Sequence, residues 1–439
     1  MSPMPFSPAG ARRIWFAVHR YLALTVGLFF ALLGLTGSLS LYGDGLDRLF
    51  NPALVITPTD SQPQPLDKLL AALRQAYPDD RGAWTLELPR GPDEPLTAWY
   101  EKPLDTLDED YAPRMVAMNP YTGEIVASRF WGRTLRSGLV NLHAQLRLGR
   151  GGGTLVGWLG LGLTVSLLTG IVLWWPGRAN LRAAFGFRHD AGVHRLALDL
   201  HRWLGLLAWP ALLVLALSGI HLAWPGLGEA LVGSSGMGHD DQGPAIRSTG
   251  QPFQNRPVGV EEAVLLARGP FSRSSVRLVT TPDGPEGTFR VTFRQPSEIN
   301  DRHPMTAVWV DQYSGQIREV RNPARFGPGE TLLTAIWPLH TGELLGAWGR
   351  LAWFCAGLML PVLYITGLTR WLIGRGWLRD RLIDYTPLHR AWGLTRARLR
   401  EWFRRGYPRL ESAARRAAAE LEARLRGGLR WLNRRLSGR

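Results

Sequence analysis

The chain has 439 residues, 45% of them hydrophobic, a formal net charge of +15 and a single cysteine, Cys355. One cysteine excludes an intrachain disulfide, a Cys-ligated iron-sulfur cluster, a Cys-rich zinc site and covalent C-x-x-C-H haem attachment. The surplus arginines flank apolar runs or lie in the tail, where retention of cations on the cytoplasmic side accounts for them, so no nucleic acid partner is expected.

In chain order, 1–14 with Arg12 and Arg13 reads as a cytoplasmic N-terminus. It precedes a first span at 15–42. No small-residue cleavage site follows that run, so a retained anchor is expected rather than a twin-arginine export signal. The net acidic stretch 43–138 reads as an exported domain, and 139–176 as a lead-in helix with a second span. The loop 177–199 carries Arg178, Arg182, Arg188 and Arg195 and belongs inside. A third span at 200–224, a second exported domain at 225–338 and a fourth span with its lead-in at 339–373 repeat the plan. The tail, 374–439, alternates arginine with Ala, Leu and Trp and reads as a basic amphipathic helix on anionic membrane lipid. The apolar cores at 21–42, 154–175, 204–224 and 351–372 are each near the roughly 20 residues needed to cross a bilayer. The fold class expected is therefore a mainly α membrane protein. It would be a four-transmembrane-helix bundle with two periplasmic α+β domains inserted between spans 1–2 and 3–4, both termini cytoplasmic.

Each half repeats the other. Val18-His19-Arg20-Tyr21-Leu22 opens the first span and Leu200-His201-Arg202-Trp203-Leu204 the third. Leu142-His143 precedes Leu168-Thr169-Gly170-Ile171, and Leu339-His340 precedes Ile365-Thr366-Gly367-Leu368 at the same spacing. A duplicated unit that returns a histidine near each membrane surface reads as a ligand arrangement, and imidazole ligands inside a bilayer suggest haem. An iron held by two neutral imidazoles needs one histidine from each of two helices at one depth. The repeat pairs His19 with His201 near the cytoplasmic face and His143 with His340 near the periplasmic face, which makes room for two b-type haems. His221, inside span three, is a rival ligand at the outer face, although Leu39 fills its repeat position. Arg20 and Arg202 follow the inner histidines and suit either haem propionates or lipid phosphates. His239 and His303 lie in the second exported region and read either as substrate contacts or, the commoner case, as loop residues.

The exported regions carry a second repeat. Met115-Val116-Ala117-Met118-Asn119-Pro120-Tyr121-Thr122-Gly123-Glu124-Ile125 and Ala307-Val308-Trp309-Val310-Asp311-Gln312-Tyr313-Ser314-Gly315-Gln316-Ile317 each read as strand, tight turn, strand. Helix candidates precede them at 66–76 and 260–268.

These features together resemble the PepSY-associated transmembrane proteins, also described as iron-regulated membrane proteins. The residues that carry the resemblance are the two His-Arg-Tyr/Trp-Leu openings, the two Leu-His openings, Thr169-Gly170 and Thr366-Gly367, and the paired hairpins. The resemblance implies a bacterial inner-membrane protein with PepSY-like periplasmic domains, and some members look like haem-containing ferric siderophore reductases. No dinucleotide fingerprint, phosphate loop, zinc helix or nucleophile elbow is present, so electrons must come from an external donor, a flavoprotein reductase or quinol. The expected function is di-haem electron transfer to a ferric siderophore in the periplasm. The alternative is a non-enzymatic module that binds or restrains a peptidase or assists envelope assembly.

Overall fold

A computed structural model describes residues 8–177, 180, 192–234, 243–250, 257–381, 398 and 401. Arg178, Arg182, Arg188, His239 and most of the basic tail lie outside the described residues. The helices are α1 (Pro8–Thr25), α2 (Gly27–Ser40), α3 (Gly43–Phe50), α4 (Leu66–Ala76), α5 (Leu135–Gln145), α6 (Gly149–Trp174), α7 (Val193–Ala223), α8 (Pro225–Val232), α9 (Val260–Ala267), α10 (Pro328–His340) and α11 (Gly346–Gly374). The strands are β1 (Trp84–Glu87), β2 (Leu96–Tyr100), β3 (Arg114–Met118), β4 (Ile125–Phe130), β5 (Ser275–Thr280), β6 (Thr288–Arg294), β7 (Thr306–Asp311) and β8 (Ile317–Arg321).

Hydrocarbon offers backbone groups no water, so a long apolar run must satisfy its own N–H and C=O groups as a helix. Helices α6, α7 and α11 are long and apolar enough to cross a membrane. The first apolar run is not one straight helix: α1 and α2 meet at Val26 with a 63° bend, and the two together would make a fourth span. The bend leaves the backbone satisfied, because Val26 N–H still donates to Leu22 at 3.0 Å and Phe30 N–H to Val26 at 3.2 Å. Two side chains favour it. The Thr25 hydroxyl donates back to the Tyr21 carbonyl at 2.7 Å, a bond that bends helices, and Gly27 lets Tyr364 pack where a methyl would stand 2.8 Å from its ring. Hydropathy alone cannot register such a bend.

Small residues bring the helices together, as expected where lipid removes any hydrophobic drive between them. A methyl on Gly34 of α2 would lie 2.4 Å from the Gly357 carbonyl of α11, and the Ser38 hydroxyl donates to Phe354 at 2.9 Å. Leu167 of α6 packs with Ala208, Leu212 and Ala216 of α7 in a buried seam. Leu28, Phe29, Trp158, Leu207 and Ile365 remain exposed, as suits side chains that face lipid.

The two inserted regions, each read from the sequence as its own small unit, share one antiparallel sheet in the order β4-β3-β2-β1-β5-β6-β7-β8. The seam is β1 against β5, with Leu86 opposite Val279 and the Thr85 and Thr280 hydroxyls 3.0 Å apart. Both hairpins form as their turn chemistry dictates. Asn119 and Asp311 each accept from the N–H two residues on, at 2.9 Å, and Gly123 and Gly315 take positive φ. Helices α4 and α9 add Leu69, Leu73, Val260 and Ala263 to a core shared with Trp84, Leu86, Val116, Val279, Val291, Phe293 and Val308.

Neither helix carries a capping side chain at its own N-cap, Pro65 or Gly259; each caps the other. Asp67 accepts from the N–H groups of Val260 (2.8 Å) and Glu261 (3.1 Å), and Glu261 accepts from the N–H of Leu66 at 2.9 Å. A second unit, Phe187–Leu196 with Gly376–Arg439, is tied among the described residues by Val193 N–H to the Arg381 carbonyl (3.1 Å) and His194 N–H to Asp380 (3.0 Å). Because the caps are reciprocal, Asp67→Ala is expected to cost about 1 kcal/mol and to speed amide exchange at Val260 and Glu261. Hydrogen exchange on the full chain checks this, and unchanged protection of those two amides would show that the cross-cap carries no weight.

Candidate functional site: paired imidazoles on hydroxyl-glycine seats

A buried imidazole must place both ring nitrogens, and here the neighbouring helix determines which one keeps the proton. His19 on α1 points Nδ1 at the Ser166 carbonyl (3.0 Å) and the Thr169 hydroxyl (3.1 Å) of α6. His201 on α7 points Nδ1 at the Leu363 carbonyl and the Thr366 hydroxyl of α11, both 3.0 Å away. His143 on α5 reaches the Leu33 carbonyl of α2 at 2.9 Å, and His340 on α10 reaches the Ser218 hydroxyl of α7 at 2.8 Å.

The hydroxyls have already spent their protons. Thr169 donates to the Ser166 carbonyl at 2.9 Å, Thr366 to Val362 at 2.8 Å and Ser218 to Val214 at 2.6 Å. Carbonyls can only accept. His19, His143 and His201 therefore donate through Nδ1–H to carbonyls, which in the neutral imidazole leaves the lone pair on Nε2, the tautomer a metal-ligating histidine needs, and His340 takes the same form where the Ser218 proton goes to Val214.

A glycine beside each hydroxyl position makes room for the ring. A methyl on Gly37 would stand 2.7 Å from His143 Cε1, one on Gly219 3.2 Å from His340, one on Gly170 3.3 Å from His19 and one on Gly367 3.4 Å from His201. The seats are thus Thr36-Gly37, Thr169-Gly170, Ser218-Gly219 and Thr366-Gly367. The Thr36 hydroxyl repeats the pattern by donating to Leu32 at 2.8 Å. Only the second and fourth seats were legible as motifs. The offset that carries His19 onto His201 also carries Thr36-Gly37 onto Ser218-Gly219, and that alignment is the signal that finds the other two.

Within each half the seating is reciprocal; between halves the rings meet. The His19 and His201 centroids are 6.3 Å apart with planes at 88°, and those of His143 and His340 are 6.1 Å apart at 42°. In a linear imidazole–metal–imidazole unit, bonds of about 2 Å put the centroids roughly 6 to 6.5 Å apart. No group of three or more metal-ligating side chains occurs among the described residues. Two imidazoles fill two positions of a transition metal, so a metal here would bring its own equatorial ligands, as an iron porphyrin does.

His221 lies against α8, where a methyl on Gly228 would meet its ring and Leu333 at 3.1 Å. The Arg20 guanidinium sits 5.4 Å from the Phe16 ring and 5.0 Å from Tyr21, a cation stacked on its own helix, and Arg202 is half-buried on α7.

An ion cluster that the sequence did not reveal stands by the His143/His340 pair. Asp44 of α3 accepts from Arg136 of α5 at 2.8 Å and from Arg302 in the β6–β7 loop, and Arg302 also faces Glu343 at 3.6 Å. Arg136 lies two turns before His143 and Glu343 just beyond His340. The next loop residue, His303, packs edge-on against Trp337, one turn before His340, with centroids 4.6 Å apart. Burial alone would raise the Asp44 carboxyl, but the Arg136 and Arg302 guanidiniums overcome it and hold the group at about 2.

A carboxyl lowered on folding stabilises the fold fully above its ordinary value of 3.8, and that contribution fades as pH falls towards 2. Wild type should therefore lose thermal stability faster than Asp44→Asn between pH 5 and pH 2; parallel acid limbs would mean that the cluster is not coupled to folding. For the seats, Gly37→Ala is expected to cost about 1–3 kcal/mol through overpacking, whereas Gly367→Ala, whose methyl would sit at ordinary contact distance, should cost far less. Melting of the detergent-solubilised protein tests the order, and equal losses would refute the ring contacts as its cause.

A family model described as the PepSY-associated TM region matches residues 16–373. No curated protein matches the chain. The matched stretch takes in all four imidazoles, their seats and the whole sheet. This multi-pass membrane chain belongs to the PepSY-associated TM region family.

Proposed function

We propose that the chain is an inner-membrane, b-type di-haem electron-transfer protein that reduces a ferric siderophore in the periplasm. The observation that carries this reading is the recurrence of one geometry: two imidazole pairs, each ring with Nδ1 turned to a carbonyl or hydroxyl of a neighbouring helix and each pair at the separation of bis-imidazole ligation. His19 and His201 would hold one haem b and His143 and His340 the other. Bound there, haem b supplies one-electron redox chemistry. The seats fix ring orientation, and Nδ1–H bonds to carbonyl and hydroxyl oxygens raise the basicity of Nε2.

The sites lie at opposite ends of the helices. His201 and the Gly219 seat of the other pair are separated along α7 by about 27 Å at about 1.5 Å per residue, close to the hydrocarbon thickness of roughly 30 Å. In this reading α1 and α2 form one span, giving four, with both termini in the cytoplasm and the sheet in the periplasm above the His143/His340 pair. Electrons enter from an external flavoprotein or quinol at the His19/His201 end. Reducing Fe(III) to Fe(II) weakens its hold by hard oxygen ligands, so one electron releases iron without cleaving the chelator.

The protein purified from membranes should carry a reducible Soret and α-band spectrum. His19→Ala or His201→Ala should each remove about half the haem, as should His143→Ala or His340→Ala, while His221→Ala should leave it intact. A colourless wild type would favour a binding module for an envelope protein instead, and haem unchanged in all five variants would remove the ligand assignment.

A further inference from the structure

Strand β5 is interrupted at its second residue pair: the register against β6 slips between Val276 and Leu278, so Arg277 is an extra, bulged residue. Bulges re-aim side chains. The Arg277 carbonyl still joins the seam, accepting from Leu88 N–H at 2.9 Å, while its half-buried side chain enters a group of charges comprising Arg90, Asp301, Glu87 and Glu94.

Each acid in that group is already bonded to a different arginine. Glu87 faces Arg90 at 3.7 Å and also accepts from Trp99 Nε1 at 3.1 Å; Glu94 holds Arg48 at 2.8 Å; Asp301 holds Arg294 at 2.9 Å. Arg277 is the surplus guanidinium, with no carboxylate at ion-pair distance among the described residues. Burial is the main cause that lowers its pKa and the like charge of Arg90 adds to it, while Asp301, Glu87 and Glu94 oppose them. Because those three acids are each paired to another arginine, the half-buried Arg277 guanidinium is, among the described residues, the one cation of the group left for an added anion to neutralise. The location is suited to function, because Asp301 adjoins Arg302, and Arg302 bonds Asp44 and faces Glu343 beside His340.

We infer that Arg277, on the bulge at the centre of the sheet, is an anion-binding residue that docks an anionic, carboxylate-bearing ferric chelate on the side of the sheet that leads to the His143/His340 pair. The inference rests on the proposed reductase reading and deepens it by fixing the charge of the substrate. A guanidinium offers a carboxylate two parallel N–H donors, a fork that a neutral or cationic chelate cannot use.

The test is direct binding to the full chain in detergent, followed by tryptophan fluorescence, with ferric citrate as the anionic probe, ferrioxamine B as a cationic one and iron-free citrate as control. Arg277→Ala should weaken ferric citrate about tenfold and leave ferrioxamine B unchanged. Arg277→Lys should retain part of the affinity, which separates loss of the charge from loss of the fold. Added salt should weaken ferric citrate binding to wild type more than to Arg277→Ala. Undiminished ferric citrate binding by Arg277→Ala, equal losses for both complexes, or iron-free citrate binding as tightly as its ferric complex would each overturn the inference. The measurement needs no electron transfer. A colourless protein with Arg277-dependent binding would remove the reductase reading and uphold the anion site.

Discussion

Everything in the membrane part turns on where four imidazoles put their Nδ1 protons. A neutral imidazole in a low-dielectric interior must donate one hydrogen bond, and leaving that donor unpaired would cost on the order of 1–3 kcal/mol. Threonine and serine in helices offer an acceptor only after their own proton has gone to a carbonyl one turn back. Thr169, Thr366 and Ser218 meet that condition, and the adjacent glycine lets the ring approach. The seat therefore does three things at once: it satisfies the histidine, fixes its tautomer and sets how closely two helices pack.

Reciprocity follows from the same constraint. In the first half, the histidine of α1 sits on α6 and that of α5 sits on α2; in the second, His201 sits on α11 and His340 on α7. Neither half can satisfy its histidines with one helix alone, so each half is a multi-helix unit closed by hydrogen bonding. The ring pairs then join unit to unit. Outside the membrane the duplication is used in the same way, since β1 meets β5 across the halves and Asp67 and Glu261 exchange caps. A sheet formed separately by either region would end at β1 or β5 as an unpaired edge, and pairing those two edges removes it.

How far the sequence was legible depends on what each feature needs. The four histidines, two of the seats, both hairpins and both sheet helices follow local rules or the repeat, and α4 matches the expected 66–76. The remaining features depend on contacts between distant residues. Nothing local in Val26 announces a 63° bend, because Gly27 yields only once Tyr364 packs against it. The joined sheet was hidden because two β regions of similar pattern are equally consistent with two small sheets. His221 matches the outer pair in depth, but depth does not say which way a side chain turns, and its contact with Gly228 is legible only in the fold. Asp44, Arg136, Arg302 and Glu343 come from four separate elements, so no motif could have named them.

The cluster they form ties the β6–β7 loop of the sheet to the helices that carry His143 and His340. Two cations and two anions largely cancel, so the cluster adds little net field at the His143/His340 pair, while each bond fixes one element against another. Arg302 ties the β6–β7 loop to α3, Arg136 ties α5 to the same carboxylate, and Glu343 follows directly on α10. The loop leaves β6 immediately after the segment that pairs with the bulged stretch of β5. Charge introduced at the bulge or at the paired rings would act on groups joined by short, partly buried ion pairs, where screening by salt is weak. Under the proposed reading, the same arginine-rich layer would position the acceptor and brace the outer ligands. A substitution there would then alter chelate binding and the outer haem site together, whereas one at the His19/His201 end would act on the inner haem site and electron entry and leave chelate binding unchanged.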